Sequence, residues 1–430
     1  MSLIEELSEK WGDSEEPFLI HPKKNLNFKS IKSSIKIDLS LVNQGDVVAL
    51  IGDFDPLTIS TLLNLIDKKA IIVPLTNLTI DQHKYFFESA KVNVIIRGEN
   101  IDYLGPQKEH KYLNVIREKE HPGLILFSTG TTGRPKAILH DFLPFLSRFK
   151  TPRPTLRTMN FLLFDHIGGL NTLFHTLFNK GVVIAPEKRT PSHILALCDQ
   201  YGVEVLPTTP TFLRLLLLSG DLEKNIPKTL KIITYGTERM DQPTLDGLCL
   251  NLPNVDFRQT FGMSELGILR VKSESRNSLF MKIGGEGVDT KVIDNVLYIK
   301  SKTRMIGYLN AESPFDENGW YNTNDIVECK EDMIKVTGRT SEVINVGGLK
   351  FMASEVERVA LSFEGINHVK VSSKQNPITG EHVEISVEPT QEDLDLREFR
   401  AFLKNSLQPH MVPRKIIIGK ISVGHRFKKA

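Results

Sequence analysis

Short apolar runs alternate with amphipathic segments through the first half of the chain. The alternation extends from about Gly45 to Thr237 and begins with a strand-like run at 47–51, a helical pattern at 56–66 and a strand-like run at 70–74. Fully apolar strands joined by helices are typical of a parallel sheet covered on both faces. The pattern therefore predicts parallel βαβ construction for this region. Its other predicted strands are 92–96, 182–184, 203–206 and 231–234, and its other predicted helices are 170–178, 192–201 and 211–218.

After Glu265 the pattern changes to short strand-like runs separated by Gly, Asn and Asp turns, as at 288–293 and 296–300. Such runs predict a β-rich lobe. The final segment contains two helical patterns and two strand-like runs, at 354–362, 394–407, 368–372 and 383–387. The prediction is an α/β fold with a large N-terminal domain, residues 1–340, of parallel βαβ subdomains plus the β-rich lobe. A small α+β C-terminal domain, residues 341–430, follows it.

Composition and charge exclude several classes of protein. The 430 residues include 40% hydrophobic and 25% charged side chains, close to the average soluble protein. With 54 basic and 52 acidic side chains the net charge is +2, so no overall field attracts nucleic acid or an anionic membrane. No apolar stretch is long enough to cross a bilayer, and residues 1–11 lack the basic and apolar regions of an export signal. We therefore expect no nucleic-acid partner and no membrane span.

The three cysteines, Cys198, Cys249 and Cys329, form neither a CxxC pair nor an even disulfide framework. We expect ordinary buried thiols in a reducing compartment. Together with the missing export signal, this spacing predicts a cytoplasmic protein.

The most informative segment is LILFSTGTTGRPK, residues 124–136, in which a strand-like run enters a loop of hydroxyls and glycines closed by a lysine. Glycines let successive backbone N–H groups point at one oxyanion, hydroxyls add donors and cations offset charge, so the loop suits a polyphosphate. It is not a Walker loop, because Lys136 follows Pro135 and precedes Ala137. A flexible surface linker is the alternative, and it leaves the nine patterned residues unexplained. The candidate ligands are Ser128, Thr129, Gly130, Thr131, Thr132, Gly133 and Lys136.

This loop resembles that of the adenylate-forming superfamily, which includes acyl-CoA synthetases, aryl-CoA ligases, luciferases and peptide-synthetase adenylation domains. Further motifs of that family follow in order from roughly residue 45 to the C-terminus. The resemblance implies an N-terminal adenylation core that binds ATP and an acid, and a mobile C-terminal domain that carries a catalytic lysine. It also implies ATP and Mg²⁺ as cofactors, with coenzyme A as second substrate in the CoA-using branches.

Two segments resemble parts of the family's acyl and adenine sites. In FDHIGG, residues 164–169, the catalytic candidate His166 matches a histidine that lines the acyl pocket, although a helix-end histidine is equally possible on residue chemistry alone. QTFGMSE, residues 259–265, resembles a loop whose aromatic ring packs on adenine, whose hydroxyl meets phosphate and whose glutamate holds magnesium. A flat apolar ring, a short hydroxyl and a carboxylate suit those three partners. The candidates are Thr260, Phe261, Gly262, Ser264 and the metal ligand Glu265, with Gly236 and Thr237 from a segment where the family carries a glycine pair.

WYNTND, residues 320–325, resembles the segment that supplies an aspartate to the ribose hydroxyls, a role that falls to Asp325. A carboxylate can accept from both protons of a cis-diol. Asn324 replaces the usual preceding glycine, and asparagine tolerates left-handed backbone. Arg339 resembles an arginine that reaches nucleotide oxygens, with a solvated arginine as the alternative. Ser341 then stands at the family's hinge, where Asp or Lys is usual.

The C-terminal region departs most from the family pattern. Gly347-Gly348 is either the glycine pair beside a pantetheine channel or simply a β-turn. Aligning residues 411–413 with the family's terminal pattern puts Lys428 at the catalytic lysine that bridges the carboxylate and α-phosphate oxygens. Phe427 replaces the expected glycine before it, Lys429 is the next candidate, and a solvated basic tail is the alternative.

The leading hypothesis is an AMP-forming acid–thiol ligase. It would activate a carboxylic acid as an acyl adenylate, release pyrophosphate and transfer the acyl group to coenzyme A. The choice of acceptor is motivated by GGLK, residues 347–350, and by the absence of a carrier domain. Within the same chemistry, the acceptor is alternatively an acyl carrier protein or an amine. From a different class, the chain is alternatively a nucleotide-binding protein that has lost catalysis, because its terminal motif is eroded.

Overall fold

The computed structural model describes residues 2–22, 24–30, 37–128, 134–224, 226–390 and 394–421. In these residues the helices are α1 (Leu3–Trp11), α2 (Pro56–Asp67), α3 (His83–Ala90), α4 (Lys111–Glu118), α5 (Phe142–Ser147), α6 (Ile167–Phe178), α7 (Pro191–Tyr201), α8 (Pro210–Leu218), α9 (Asp221–Lys224), α10 (Gln242–Asn251), α11 (Ala353–Leu361) and α12 (Leu396–Ser406). The strands are β1 (Pro17–Ile20), β2 (Leu26–Asn27), β3 (Val47–Ile51), β4 (Ile71–Leu75), β5 (Val94–Arg97), β6 (Asn100–Tyr103), β7 (Gly123–Phe127), β8 (Ala137–Asp141), β9 (Thr158–Met159), β10 (Val183–Ile184), β11 (Val205–Thr208), β12 (Ile232–Tyr235), β13 (Asp256–Gln259), β14 (Phe261–Met263), β15 (Gly267–Ser273), β16 (Met281–Gly284), β17 (Val288–Ile293), β18 (Val296–Ser301), β19 (Gly307–Tyr308), β20 (Tyr321–Lys330), β21 (Met333–Arg339), β22 (Val343–Val346), β23 (Leu349–Met352), β24 (Ile366–Asn376), β25 (Gly380–Pro389) and β26 (Lys415–Ile418).

The first sheet has the strand order β13-β12-β11-β9-β10-β1-β2 and is parallel except at its edge strand β2. The carboxyl ends of its parallel strands therefore meet at one edge. Residues 160–166, 208–209, 236–238 and 260 leave the sheet there. Ligands of open α/β sheets bind at this kind of edge.

The second sheet, β19-β8-β7-β4-β3-β5-β6, is mixed. Its inner strands β7, β4, β3 and β5 are parallel, whereas β6, β8 and β19 pair antiparallel to their neighbours. Purely parallel construction is therefore wrong for this sheet, because the chain turns back after Phe127 and β8 pairs directly with β7. Alternate residues of β3 enter different cores, with Val48 and Leu50 on the side of α6 and Val47 on the opposite face. Burial of both faces explains the continuous apolar run.

The third sheet, β14-β15-β16-β21-β20-β18-β17, is antiparallel and forms the predicted β-rich lobe. A fourth sheet, β23-β22-β25-β24 with β26 parallel to β25, contains the last strands of the chain. Helices α11 and α12 cover it through buried Val356, Ala360, Phe399 and Leu403. The predicted α/β class with a β-rich lobe and a smaller α+β unit is confirmed.

Two other predictions concern the chain as a whole. Among the residues described above, no helix combines the length and the apolar character needed to cross a bilayer. Cys198 is buried as expected, Cys249 is half-buried, and Cys329 is exposed. The prediction of a buried thiol is wrong for Cys329, because β20 extends beyond the core of the lobe at this end and residues 328–330 are all exposed.

The buried ring of His140 joins the second sheet to the third. Its Nε2 lies 2.6 Å from the carbonyl oxygen of Ser264, and burial lowers the pKa of His140 to about 4. The ring is therefore neutral at pH 7, and Nε2–H donates to the carbonyl. This bond fixes the backbone immediately before Glu265.

We expect low pH to destabilise the folded protein through the contact that His140 makes between the second and third sheets. The unfolded chain binds a proton at His140 below about pH 6.5, whereas the folded chain binds one only below about pH 4. The unfolded state thus holds more protons in this window, and His140 lowers stability by about 2 kcal/mol between pH 7.5 and pH 5. Urea unfolding of wild type and His140→Gln at both pH values should show a smaller pH-dependent loss in the variant. His410→Gln, in the turn between α12 and β26, is the matched control, and equal losses in wild type and His140→Gln would contradict the expectation.

Candidate active site

Strands β7 and β8 pair antiparallel, and Ser128 and Lys136 lie directly after the first strand and directly before the second. The backbone N–H of Ser128 donates to the carbonyl of Lys136 at 3.1 Å, and the backbone N–H of Lys136 donates to Ser128 Oγ at 3.0 Å. Ser128 therefore ties both ends of the loop together. The other predicted ligands of the loop, Thr129, Gly130, Thr131, Thr132 and Gly133, lie outside the described residues.

Side chains from two distant segments hold residues 134–137, the segment that leads from this loop into β8. The Tyr85 hydroxyl, from α3, and Asn310 Nδ2 donate to the carbonyl of Pro135 at 2.9 and 3.1 Å. Asn310 Oδ1 also accepts from the backbone N–H of Ala137 at 2.9 Å. The guanidinium of Arg134 lies 5.7 Å from the centre of the Tyr85 ring. Tyr85 and Asn310 thus hold the backbone of this segment, and neither of them is a predicted phosphate ligand.

Tyr308 bridges the loop lysine and the predicted metal ligand. Lys136 Nζ lies 4.8 Å from the centre of the Tyr308 ring, and the Tyr308 hydroxyl donates to Glu265 Oε1 at 2.7 Å. Tyr308 is buried, whereas Lys136 is exposed and Glu265 is half-buried. Lys136 and Glu265, which were predicted from separate motifs, therefore both contact Tyr308.

Glu265 is held by its backbone as well as by Tyr308. Its carbonyl accepts from the backbone N–H of Met305 at 2.8 Å, and the preceding carbonyl of Ser264 accepts from His140. One half-exposed carboxylate fits Mg²⁺, which proteins commonly hold with one or two carboxylates together with substrate phosphates. Within the described part of the chain, no group of three or more His, Cys, Asp and Glu side chains forms an all-protein metal site.

Asp325 and Arg339 face each other on the paired strands β20 and β21. Arg339 Nε donates to Asp325 Oδ1 at 3.1 Å, and the Asp325 side chain is 7% exposed against 49% for Arg339. Burial raises the pKa of Asp325 to about 6, with Arg339 acting in the opposite direction. Asn324, in place of the family's glycine, has φ +58°, the left-handed conformation that asparagine tolerates.

Tyr321 interacts with the Asp325–Arg339 ion pair as well as with Tyr308. Burial raises the pKa of its hydroxyl first, the charge of Glu265 raises it further, and Arg339 lowers it. The side chains of Tyr321 and Tyr308 also interact. The charges of the predicted metal ligand Glu265 and the predicted ribose ligand Asp325 thus both act on Tyr321.

Gly236 and Thr260 leave adjacent parallel strands at the carboxyl edge of the first sheet. A Cβ on Gly236 would overlap Thr260 Oγ1, which donates to the carbonyl of Tyr235 at 3.1 Å, so this close approach requires glycine. Thr237 has φ +74°, a conformation that favours the glycine found there in the family. Phe261 and Gly262 continue into β14, with Phe261 half-buried.

His166 stands at the N-terminus of α6, where its Nδ1 accepts from the backbone N–H of Gly168 at 3.0 Å. The observed bond is that of a helix-end histidine, and the role in an acyl pocket stays a prediction. A charged pair that sequence reasoning missed lies near the preceding turn. Arg189, 7% exposed, approaches Asp53 at 3.7 Å and donates to the carbonyl of Phe161 at 2.6 Å.

The fourth sheet contacts the body of the molecule through polar groups. Arg214 Nε donates to the carbonyl of Asn367 at 3.0 Å, and Arg239 lies 3.8 Å from Glu357. Lys428 and Lys429, the candidates for the catalytic lysine, lie outside the described residues.

A parallel sheet edge, a segment rich in hydroxyls and glycines after a buried strand, and two carboxylates on the β-rich lobe are features of the adenylate-forming class of proteins. Residues 40–308 match the model of the AMP-binding enzyme family, and the chain belongs to that family.

The curated relatives it matches include an acyl-CoA synthetase of Alternaria alternata, 24% identical over 353 residues that cover 69% of this chain and 62% of the relative. A medium/long-chain-fatty-acid acyl-carrier-protein ligase of Mycobacterium tuberculosis is 26% identical over 59% of this chain and 53% of the relative. The chain thus spans between about half and two thirds of these relatives. Among solved structures, ATP-bound MatB from Rhodopseudomonas palustris superposes with a TM-score of 0.81 at 18% identity, covering 100% of this chain and 97% of MatB, and so has the same fold.

We expect Asp325→Asn to stabilise the folded protein at neutral pH. A folded-state pKa of about 6 against an ordinary 3.8 means that ionised Asp325 costs at most about 3 kcal/mol above pH 7. The folded state binds the proton more tightly, so wild type regains about 2 kcal/mol as the pH falls to 4.5 and the variant's advantage shrinks. Denaturant unfolding at pH 7.5 and 4.5 measures both effects. Asp289→Asn, exposed on the same sheet, is the control, and a destabilised Asp325→Asn at pH 7.5 would contradict the reasoning.

Proposed function

We propose that the protein activates a carboxylic acid as its acyl adenylate. A carboxylate oxygen attacks the α-phosphorus of ATP, the bond from that phosphorus to the bridging oxygen breaks, and pyrophosphate leaves. Attack on a polyanion requires neutralised charge and an aligned nucleophile rather than a covalent enzyme intermediate. The observation that supports the proposal is the pair of contacts that Tyr308 makes with Lys136 and with Glu265, because the two residues were predicted separately as a phosphate ligand and a metal ligand.

In this proposal Ser128, Lys136 and the loop between them grip the β- and γ-phosphates. Glu265 would hold the magnesium ion, which supplies positive charge to the phosphates when it is bound. Ser264, Thr260 and Phe261 contribute a hydroxyl beside the phosphates and a ring against adenine. All of these roles are transferred from the family motif.

Asp325 would accept from the ribose hydroxyls, with Arg339 holding the carboxylate and reaching nucleotide oxygens. The burial of Asp325 supports this role, since an unneeded buried carboxylate is costly. Gly236 and Thr237 would lie beside the acyl group and the nucleotide, and His166 would line the acyl pocket.

We further propose that residues 341–430 form a mobile domain that delivers Lys428 to the reacting carboxylate and α-phosphate. Its rotation would then open the adenylate to an acceptor. The thiolate of coenzyme A attacks the carbonyl carbon, and the carbonyl–oxygen bond to AMP breaks. A cytoplasmic location supplies ATP and coenzyme A.

ATP–pyrophosphate exchange across aromatic, aliphatic and amino acids tests the first half-reaction. We expect exchange only with ATP, magnesium and an appropriate acid, because pyrophosphate re-forms ATP only by reacting with an acyl adenylate. Lys428→Ala should lower exchange by about 100-fold or more, the usual cost of losing a charge-stabilising group. Lys429→Ala is the matched control and should retain most activity.

Tight ATP binding without exchange for any acid, unchanged by Lys428→Ala, would instead favour the degenerate nucleotide-binding protein. A larger loss of exchange in Lys429→Ala than in Lys428→Ala would assign the catalytic role to Lys429.

The acceptor is tested separately, once an acid is known. Wild type charged with that acid is offered coenzyme A, acyl carrier proteins and simple amines, and products are identified by mass spectrometry. We expect the coenzyme A thioester to form fastest. Faster transfer to a carrier protein or an amine would reassign the second half-reaction and leave adenylation intact, and the fatty-acid ligase among the relatives makes the carrier protein the specific competitor.

A further inference from the structure

We propose that Tyr308 is a positioning residue for magnesium-dependent nucleotide binding. Its hydroxyl orients the Glu265 carboxylate toward the metal, and its ring holds the Lys136 ammonium beside the phosphates. The inference rests on the proposed roles of Glu265 and Lys136 and adds a residue that neither loop contains.

The register of the second sheet fixes the contact between Tyr308 and the loop. Tyr308 pairs with Ile138 across β19 and β8, and Lys136 stands two residues before Ile138. Residues two apart on a strand point to the same face, so Lys136 is the diagonal cross-strand neighbour of Tyr308. The distance of 4.8 Å from Nζ to the ring centre suits a cation–π contact.

The position of Tyr308 leaves its side chain little freedom. It is 3% exposed, and its neighbour Gly307 packs so closely on Tyr112 that a Cβ would overlap the Tyr112 ring. On the other side, Asn310 is tied to Pro135 and Ala137. A hydroxyl on such a rigid support holds a carboxylate in one orientation better than solvent can.

The hydrogen bond to Glu265 separates this role from simple packing. Oε1 accepts from the Tyr308 hydroxyl at 2.7 Å, and the backbone of Glu265 is fixed independently by Met305. Removing the hydroxyl while keeping the ring therefore frees the carboxylate and the side chain of Tyr321, while the backbone of Glu265 stays fixed. A packing role predicts no change in metal dependence after such a substitution, whereas a positioning role predicts a specific loss.

The test measures ATP binding to the full chain by calorimetry, without any acid, across a magnesium titration and in EDTA. In Tyr308→Phe we expect the magnesium concentration at half-effect to rise about 10- to 100-fold, the range for losing a hydrogen bond to a charged group. ATP affinity in EDTA should stay within about twofold of wild type, because the ring still holds Lys136. Tyr298→Phe removes a hydroxyl from the β-rich lobe, where it accepts only from Asn322 at 3.2 Å among the described contacts, and is the matched control.

A second pair of variants tests whether Tyr308 acts through Glu265. Glu265→Gln should lose most of the magnesium effect, and adding Tyr308→Phe to it should change little further, since coupled residues are not additive. Tyr308→Leu, which also removes the ring, should in addition weaken ATP binding in EDTA by about two- to fivefold. Thermal unfolding of each variant confirms that it is folded.

An unchanged magnesium dependence in folded Tyr308→Phe would overturn the inference, as would fully additive losses in the double variant. Because no acid is present, wild type that binds magnesium–ATP but gives no pyrophosphate exchange would defeat the proposed catalysis and leave this test intact. Wild type that does not bind magnesium–ATP would overturn both.

Discussion

The site depends on one short strand pairing, that of β19 with β8. The chain leaves the second sheet after β8, forms strands β9 to β13 of the first sheet and β14 to β18 of the third, and returns about 170 residues later to pair at the same edge. This return sets Tyr308 against Lys136 and Asn310 against the loop backbone. Together with the bond from His140 to the carbonyl of Ser264, this pairing joins the loop to the β-rich lobe that contains the Glu265 turn.

The elements were largely predictable from the sequence because their signals are local. The strand at 47–51 and the strand at 288–293 occur as expected, since apolar runs and turn residues act within a few positions. The mixed second sheet was not predictable, because the pairing of β8 with β7 and β19 is decided by a turn and by a partner far along the chain. The local pattern of AILHD, residues 137–141, is that of any buried strand.

The candidate site divides in the same way. Residues with distinctive chemistry in a motif, such as Glu265 and Asp325, were predicted from the sequence, and in the structure the charges of both act on Tyr321. Tyr308, Asn310 and His140 were missed because their chemistry is ordinary and their hydrogen-bond partners lie 43, 173 and 124 residues away in the sequence. A buried tyrosine is more often a core residue than a ligand's neighbour. Only the contact between the Tyr308 hydroxyl and a carboxylate distinguishes it from the other buried rings.

The electrostatics of the cluster explain why its charged groups are not simply structural. Asp325 is almost fully buried, the guanidinium of Arg339 that pairs with it is half-exposed, and the pKa of Asp325 is raised rather than lowered. A carboxylate kept for stability would show the opposite shift, because a stabilising ion pair lowers the pKa of its acid. The folded chain therefore carries a destabilising charge at this point. The proposed ribose contact would bring two adjacent hydroxyl donors to this carboxylate, which suits a buried acceptor with unused lone pairs.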